Sequence, residues 1–262
     1  MTVMQAFWLG LVQGLSEFLP ISSSGHLVLL QRIFGIAEPS ITFSILLHVG
    51  TLVAVVTIYW KRILNMILHP VKSELPLLAL ATVPAVIAAL IFDFDDAFNG
   101  EYLGFSFLIT TLILWLADLV SGVSYPTKSV KWHNALVMGV MQAVAILPGI
   151  SRSGSTIAGG ISTGLSRKRA ADFAFLMLLP AILGAIVLDL IESGAAIFSA
   201  NSAMGGALPM VVGVLTAAIF GYIAIKAMLT LVRRVRMTWF GVYTGLLGIL
   251  VLLDQYIFHF YF

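Results

Sequence analysis

Long apolar runs separated by short polar clusters set the pattern of this chain. Six runs are each about 20 residues long, the length a helix needs to cross roughly 30 Å of hydrocarbon. They cover 41–60, 75–92, 102–120, 173–191, 207–226 and 237–258. Ionisable residues inside them are few (His48, Asp118, Asp189, Lys226 and Asp254), and most stand near a run's end. Two further stretches, 2–34 and 132–165, are apolar but broken. Each has a helical run, a cluster of Pro, Ser and Gly, and a second short helical run, and neither half is long enough to span alone. The pattern predicts an all-α polytopic membrane protein, with six full transmembrane spans and two re-entrant broken-helix hairpins.

Composition agrees. The 262 residues are 60% hydrophobic and 10% charged, with a mean hydropathy of +1.05. Soluble domains carry about 25% charged residues, so a soluble enzyme, a nucleic-acid binder and a disordered chain are excluded. The lack of cysteine removes a disulfide framework, a thiolate metal site and a cysteine nucleophile. Residues 1–10 show no basic segment and no small-residue cleavage site, so no removable signal peptide is expected.

The placement of the charges predicts orientation. Lys61, Arg62 and Lys72 follow the first span, and Lys128 and Lys131 follow the third. Arg167, Lys168 and Arg169 precede the fourth, and Arg233, Arg234 and Arg236 lie between the fifth and sixth. Alternate crossing puts all of these on one side, the cytoplasmic one by the positive-inside rule. The opposite loops hold Asp93, Asp95, Asp96, Glu101 and Glu192, with no Lys or Arg. Residues 35–40 and both termini are expected outside.

The chain also repeats. A shift of 129 residues carries Gly10, Gln13, Ile21, Ser22, Ser24 and Gly25 onto Gly139, Gln142, Ile150, Ser151, Ser153 and Gly154, and Phe43 matches Phe173 at nearly the same shift. Three spans separate the copies, so their orientations are opposite. Residues 1–262 are expected to form a single membrane domain of two inverted repeats, 1–120 and 132–262. The stretch 2–34 would dip in from outside and 132–165 from inside. Non-helical backbone at membrane depth must be buried in protein or line a wet cavity, and inverted-repeat proteins place binding sites there.

Both breaks carry chemistry. The first reads Gln13-x-x-x-Glu17-Phe-Leu-Pro20-Ile-Ser22-Ser23-Ser24-Gly25-His26. Gln13 and Glu17 share a helix face, and Pro20 ends that helix beside a hydroxyl-rich turn and an imidazole. The second reads Pro148-Gly149-Ile-Ser151-Arg152-Ser153-Gly154-Ser155-Thr156. Arg152 stands where the first copy has Ser23, and Ile146 where it has Glu17. One copy supplies acid and imidazole and the other a guanidinium, which suggests one composite site. Small residues by themselves would serve helix packing. Glu17, His26 and Arg152 would not, because charge at the bilayer centre costs about 3 kcal/mol or more. His48, alone in its span, reads as a hydrogen-bonded packing residue, and Arg32 as a side chain reaching the interface.

Arg152 offers a planar fork suited to phosphate. The N–H groups around Ser151, Ser153, Gly154, Ser155 and Thr156, and around Ser22, Ser24 and Gly25, attract anions. Glu17 with Gln13 is a hard oxygen site for a divalent cation, Mg²⁺ or Ca²⁺. A hydroxyl beside an imidazole can be an activated nucleophile. These parts describe phosphoryl transfer, and at membrane depth a lipid-linked phosphate is the natural substrate. A transporter that binds lipid phosphate without breaking it is the rival reading.

The two motifs together resemble the bacterial undecaprenyl-diphosphate phosphatase family, also called the bacitracin-resistance protein family, and the resemblance runs the whole chain. The family's first acidic position is Glu or Gln, and Gln13 here leaves Glu17 as the motif's only carboxylate. The resemblance implies hydrolysis of undecaprenyl diphosphate to undecaprenyl phosphate and inorganic phosphate with a divalent cation. That reaction recycles the lipid carrier for cell-wall synthesis in the bacterial plasma membrane, at a site opening outward. Expected partners are the polyprenyl diphosphate and membrane lipids, with no nucleic acid, and Gly-x-x-x-Gly pairs allow a homodimer. The expected division of labour gives Arg152 and the 151–156 turn the diphosphate and gives Glu17 and Gln13 the metal. Ser23 then attacks phosphorus with His26 as general base. His26 as nucleophile, or a metal-activated water, stays open.

Overall fold

The computed structural model describes residues 1–36, 41–92, 100–121, 127, 129–193 and 206–262. Asp93, Asp95, Asp96, Lys128 and residues 37–40 of the first outside loop lie outside them, as do the side chains of Asp189, Glu192 and Arg233. The described chain is helical, apart from one isolated bridge between Thr127 and Leu165. In order the helices are α1 (Val3–Phe18), α2 (Ser23–Ile33), α3 (Ile41–Leu68), α4 (Leu75–Ile91), α5 (Leu103–Val120), α6 (Trp132–Val144), α7 (Arg152–Ser162), α8 (Arg167–Ser193), α9 (Ala207–Arg234) and α10 (Met237–Leu253). A π-helical turn, Asp254–Phe258, ends α10.

Five described helices are long and apolar enough to cross a membrane: Phe43–Leu68, Leu103–Val120, Arg167–Leu188, Ala207–Val232 and Met237–Phe258. The protein is a multi-pass membrane protein. The run expected at 75–92 forms α4, which has 17 residues and reaches about 25 Å at 1.5 Å per residue. Three helices outrun their apolar cores. α3 continues past residue 60, α8 begins at Arg167 and α9 continues to Arg234. Lys61, Arg62 and Arg167–Arg169 therefore sit on helix ends rather than in loops, because a helix keeps its backbone bonded across the headgroup layer. Several of these cations are paired. Glu74 binds Arg62 and Arg169, and Asp118 binds Arg167 at 2.6 Å.

The broken stretches form two short-helix pairs, α1–α2 and α6–α7. α2 and α7 have 11 residues each, too few to cross the hydrocarbon. Both start with the same device. The hydroxyl of Ser22 accepts from the Gly25 N–H at 3.3 Å, and that of Ser151 from the Gly154 N–H at 3.1 Å, each satisfying an orphan donor of the helix start.

The pairs pack reciprocally. α1 lies on α9 and α6 lies on α4. A β-carbon on Gly10 would strike the Gly213 carbonyl, and one on Gly139 the Ala81 carbonyl. At the centre the two turns meet backbone to backbone. A β-carbon on Gly25 would lie 2.9 Å from the Cα of Gly149. Gly149 itself takes φ +93°, a conformation open chiefly to glycine. Gly160 and Gly241 pack within the chain, against Ala170 and Trp115. The main core joins Phe18, Leu114, Met138, Phe173 and Phe175, so it fills the space behind the two turns.

Candidate active site

Glu17 is the last polar residue of α1, one turn before Pro20 ends the helix, and its side chain is 2% exposed. Its carboxylate gathers partners from its own helix and three others. Oε1 accepts from Arg152 Nη2, from the start of α7. Oε2 accepts from Gln13 Nε2 at 2.8 Å and from the Ser23 hydroxyl, at the start of α2. His48 of α3 brings Nε2 to 3.6 Å from Oε2. The acid of the first motif and the guanidinium of the second therefore meet directly, as the composite reading expected.

Two buried polar atoms of this cluster have no partner in the protein: Arg152 Nη1 and Gln13 Oε1. A buried guanidinium N–H without an acceptor is costly, so Nη1 is the natural donor to an incoming anion. Gln13 Oε1 is a buried hard oxygen that needs a donor or a cation. Glu17 and Gln13 thus fit a divalent ion that takes few protein ligands and fills its remaining positions with water and phosphate oxygens.

The hydroxyls divide by task. Ser151 caps α7, and its N–H donates to Thr110 Oγ1 at 2.9 Å. Thr110 Oγ1 in turn donates to the Gly149 carbonyl at 2.8 Å. Ser153 donates to the Leu19 carbonyl at 2.8 Å, tying the second turn to the end of α1. Thr156 donates to the Arg152 carbonyl at 2.8 Å. Ser22 and Ser24 pair their hydroxyls at 3.4 Å. Ser155 Oγ is buried and unpartnered. Gly25 and Gly154 make room for close approach. Ser22 holds φ +70°, an unusual state for a residue with a β-carbon, and it turns the chain sharply from Pro20 into α2.

His26 uses its nitrogens elsewhere than on Ser23. Nδ1 lies 2.7 Å from the Ser22 carbonyl, which can only accept, so Nδ1 carries the hydrogen. In the neutral ring Nε2 is then a bare lone pair, and it accepts from the Tyr243 hydroxyl at 2.7 Å. Phe107 meets the ring edge-on, centroids 5.5 Å apart. The hydroxyl of Ser23 is held by Glu17 instead.

Three contributors were not read as site residues from the sequence. Thr110 and Tyr243 lie on α5 and α10, in runs with no local signal. His48 was visible as an ionisable group in an apolar span. Its Nδ1 does make the expected packing bond, to the Ser44 carbonyl at 2.7 Å, but its other nitrogen faces Glu17. Arg32 reaches the chain's end, 5.4 Å over the Phe262 ring.

Comparison with known proteins supports one assignment. The family model for bacitracin resistance protein BacA matches residues 6–250. An undecaprenyl-diphosphatase of Carboxydothermus hydrogenoformans is 46% identical over 97% of this chain and 98% of its own length. Undecaprenyl-diphosphatase 3 of Bacillus cereus is 39% identical over 98% of each chain. An undecaprenyl-diphosphatase of Halothermothrix orenii is 36% identical over 97% of this chain and 98% of its own. With a match of this length and relatives this similar from end to end, the chain belongs to the bacitracin resistance protein BacA family.

Proposed function

We propose that this protein hydrolyses undecaprenyl diphosphate to undecaprenyl phosphate and inorganic phosphate, recycling the lipid carrier for cell-wall synthesis. The observation that carries the proposal is the Glu17 carboxylate, which holds Arg152 and the Ser23 hydroxyl at once while Arg152 Nη1 has no acceptor. A fork, a hydroxyl and a carboxylate on one point, inside apolar helices, fit phosphoryl transfer from a lipid.

The proposed architecture is six spans and two re-entrant hairpins in an inverted repeat. Its support is the matched capping of Ser22 and Ser151 and the exchanged packing of Gly10 on α9 and Gly139 on α4. Basic helix ends at Lys61–Arg62 and Arg167–Arg169 support a cytoplasmic side there. The site then opens outward, with both termini outside, in a bacterial plasma membrane.

Arg152 Nη1 and the N–H groups at the start of α7 hold the diphosphate and stabilise charge on the transferring phosphoryl. Ser23 Oγ bonds to the terminal phosphorus as its proton passes to Glu17 Oε2, its hydrogen-bond acceptor. The bond from that phosphorus to the bridging oxygen breaks, and polyprenyl phosphate leaves. Water then attacks phosphoserine and gives a proton to His26 Nε2, which exchanges its Tyr243 hydroxyl for that water. The Ser23 oxygen departs and recovers its proton from Glu17, and inorganic phosphate leaves with the proton from His26 Nε2, which returns to the Tyr243 hydroxyl. A divalent cation held by Glu17 and Gln13 Oε1 would neutralise phosphate charge.

The test is phosphate release from undecaprenyl diphosphate by purified protein in detergent, with and without chelator, beside Glu17→Ala and Arg152→Ala. Chelator-sensitive release that both substitutions abolish is expected. Label trapped on His26 instead of Ser23 would overturn the serine step. No release with lipid diphosphate still bound would favour the transporter.

A further inference from the structure

Glu17 and His48 face each other in a way that neither side chain explains alone. His48 Nδ1 is 2.7 Å from the Ser44 carbonyl, so it carries the ring hydrogen. While the ring is neutral it turns a bare Nε2 lone pair toward Glu17 Oε2 at 3.6 Å, and a protonated ring would point its N–H along the same line. Two acceptors at that separation do not bond to each other. A third acceptor is close, because Gln13 already touches the same carboxylate oxygen through Nε2, and its own Oε1 is buried without a partner. A half-turn of the carboxamide brings Oε1 to where Nε2 now donates. Glu17 Oε2 then has an amide oxygen and an imidazole nitrogen as neighbours, at the cost of the Gln13 Nε2 hydrogen bond.

The spacing suits a metal ion. Two neighbouring ligands each about 2.2 Å from an octahedral ion stand roughly 3.1 Å apart, within about half an ångström of the 3.6 Å between Nε2 and Oε2. The Nδ1–H bond to a backbone carbonyl is the usual outer support of a metal-bound imidazole, fixing its tautomer and direction. The donor set also bears on which ion binds. Carboxylate and amide oxygens alone suit Mg²⁺ or Ca²⁺, whereas an added imidazole favours a transition ion.

We propose that His48 is the nitrogen ligand of the cation site that Glu17 and Gln13 begin, and that this site takes a transition ion of the Mn²⁺ class. The proposal rests on the reading of Glu17 and Gln13 as cation ligands.

The experiment is Mn²⁺ binding to the purified full chain in detergent, followed by electron paramagnetic resonance without substrate. Pulsed spectra are expected to show coupling to a directly bound ¹⁴N. His48→Gln keeps a polar side chain at the position and is expected to abolish that coupling. It is also expected to weaken Mn²⁺ binding at least tenfold, the roughly 10-fold lower bound for losing even an outer-shell partner. Ca²⁺ binding by the same variant, measured by calorimetry, is expected to change less. Mn²⁺ bound with no nitrogen coupling would overturn the role of His48 while leaving Glu17 and Gln13 as ligands. No Mn²⁺ binding by protein that still releases phosphate would overturn the transition-ion site and leave the phosphatase standing.

Discussion

Removing Arg152 should cost stability as well as catalysis, and removing Glu17 with it should restore the stability alone. The Glu17 side chain is 2% exposed and that of Arg152 21%. Arg152→Met keeps an unbranched apolar stem but leaves a buried carboxylate without its counter-charge. Breaking one side of a buried pair costs about 3–5 kcal/mol. For a chain of this size each kcal/mol moves the melting temperature by about 2–4 °C, so a fall of roughly 6–20 °C is expected. Replacing both partners by neutral groups is often neutral or stabilising, so Glu17→Gln in the Arg152→Met background should recover at least half of the fall. Phosphate release should stay lost in both variants, by about 10²–10³-fold or more, the scale of losing one transition-state donor. Thermal unfolding in detergent with chelator present, beside the release assay, gives both readings. A double variant no more stable than Arg152→Met would show that the pair does not join the hairpins.

Two further measurements address the packing and the orientation. Gly10→Ala and Gly139→Ala each push a β-carbon into the carbonyl of a neighbouring helix, so each should lower stability by about 1–3 kcal/mol. Gly184→Ala, in α8 with nothing within 4 Å of its β-carbon, should leave the melting temperature unchanged or raise it slightly. Equal effects at all three positions would refute the close-approach argument. Because the chain has no cysteine, single substitutions report the sides cleanly. Val71→Cys, 85% exposed between α3 and α4, should react with a membrane-impermeant thiol reagent only in opened cells. Phe260→Cys, 76% exposed near the chain's end, should react in intact ones. The reverse labelling would invert the topology.

The charged residues of the site were legible because hydrocarbon makes them expensive. Glu17 and Arg152 stood out against apolar neighbours, and the repeat supplied their relation: the second copy lacks the acid and the first lacks the guanidinium. Their meeting at one carboxylate is what that division implies once the turns touch at Gly25 and Gly149. The base was harder to read. Ser23 and His26 are three apart on one helix, which made them look like partners, yet a local backbone carbonyl captures Nδ1 and Tyr243 captures Nε2. Sequence spacing reports which side chains share a face, but not which acceptor each one finds. Tyr243 and Thr110 illustrate the same limit from the other direction, since each reaches the turns from a helix distant in sequence through one hydroxyl in an otherwise apolar run. The physical reason lies in how the site is assembled. Neither hairpin contains a complete set of partners, so polar atoms of each turn are satisfied by the other turn or by the spans around it. Arg152 completes Glu17, Leu19 accepts from Ser153, Thr110 clamps Gly149 and Ser151, and Tyr243 holds His26. A chain read one segment at a time shows the unmet demands of each turn, and the fold determines where they are met. Among the described residues, demands still unmet at the two turns after folding include Arg152 Nη1, Gln13 Oε1 and Ser155 Oγ, and the first of these is the one that suits an anion.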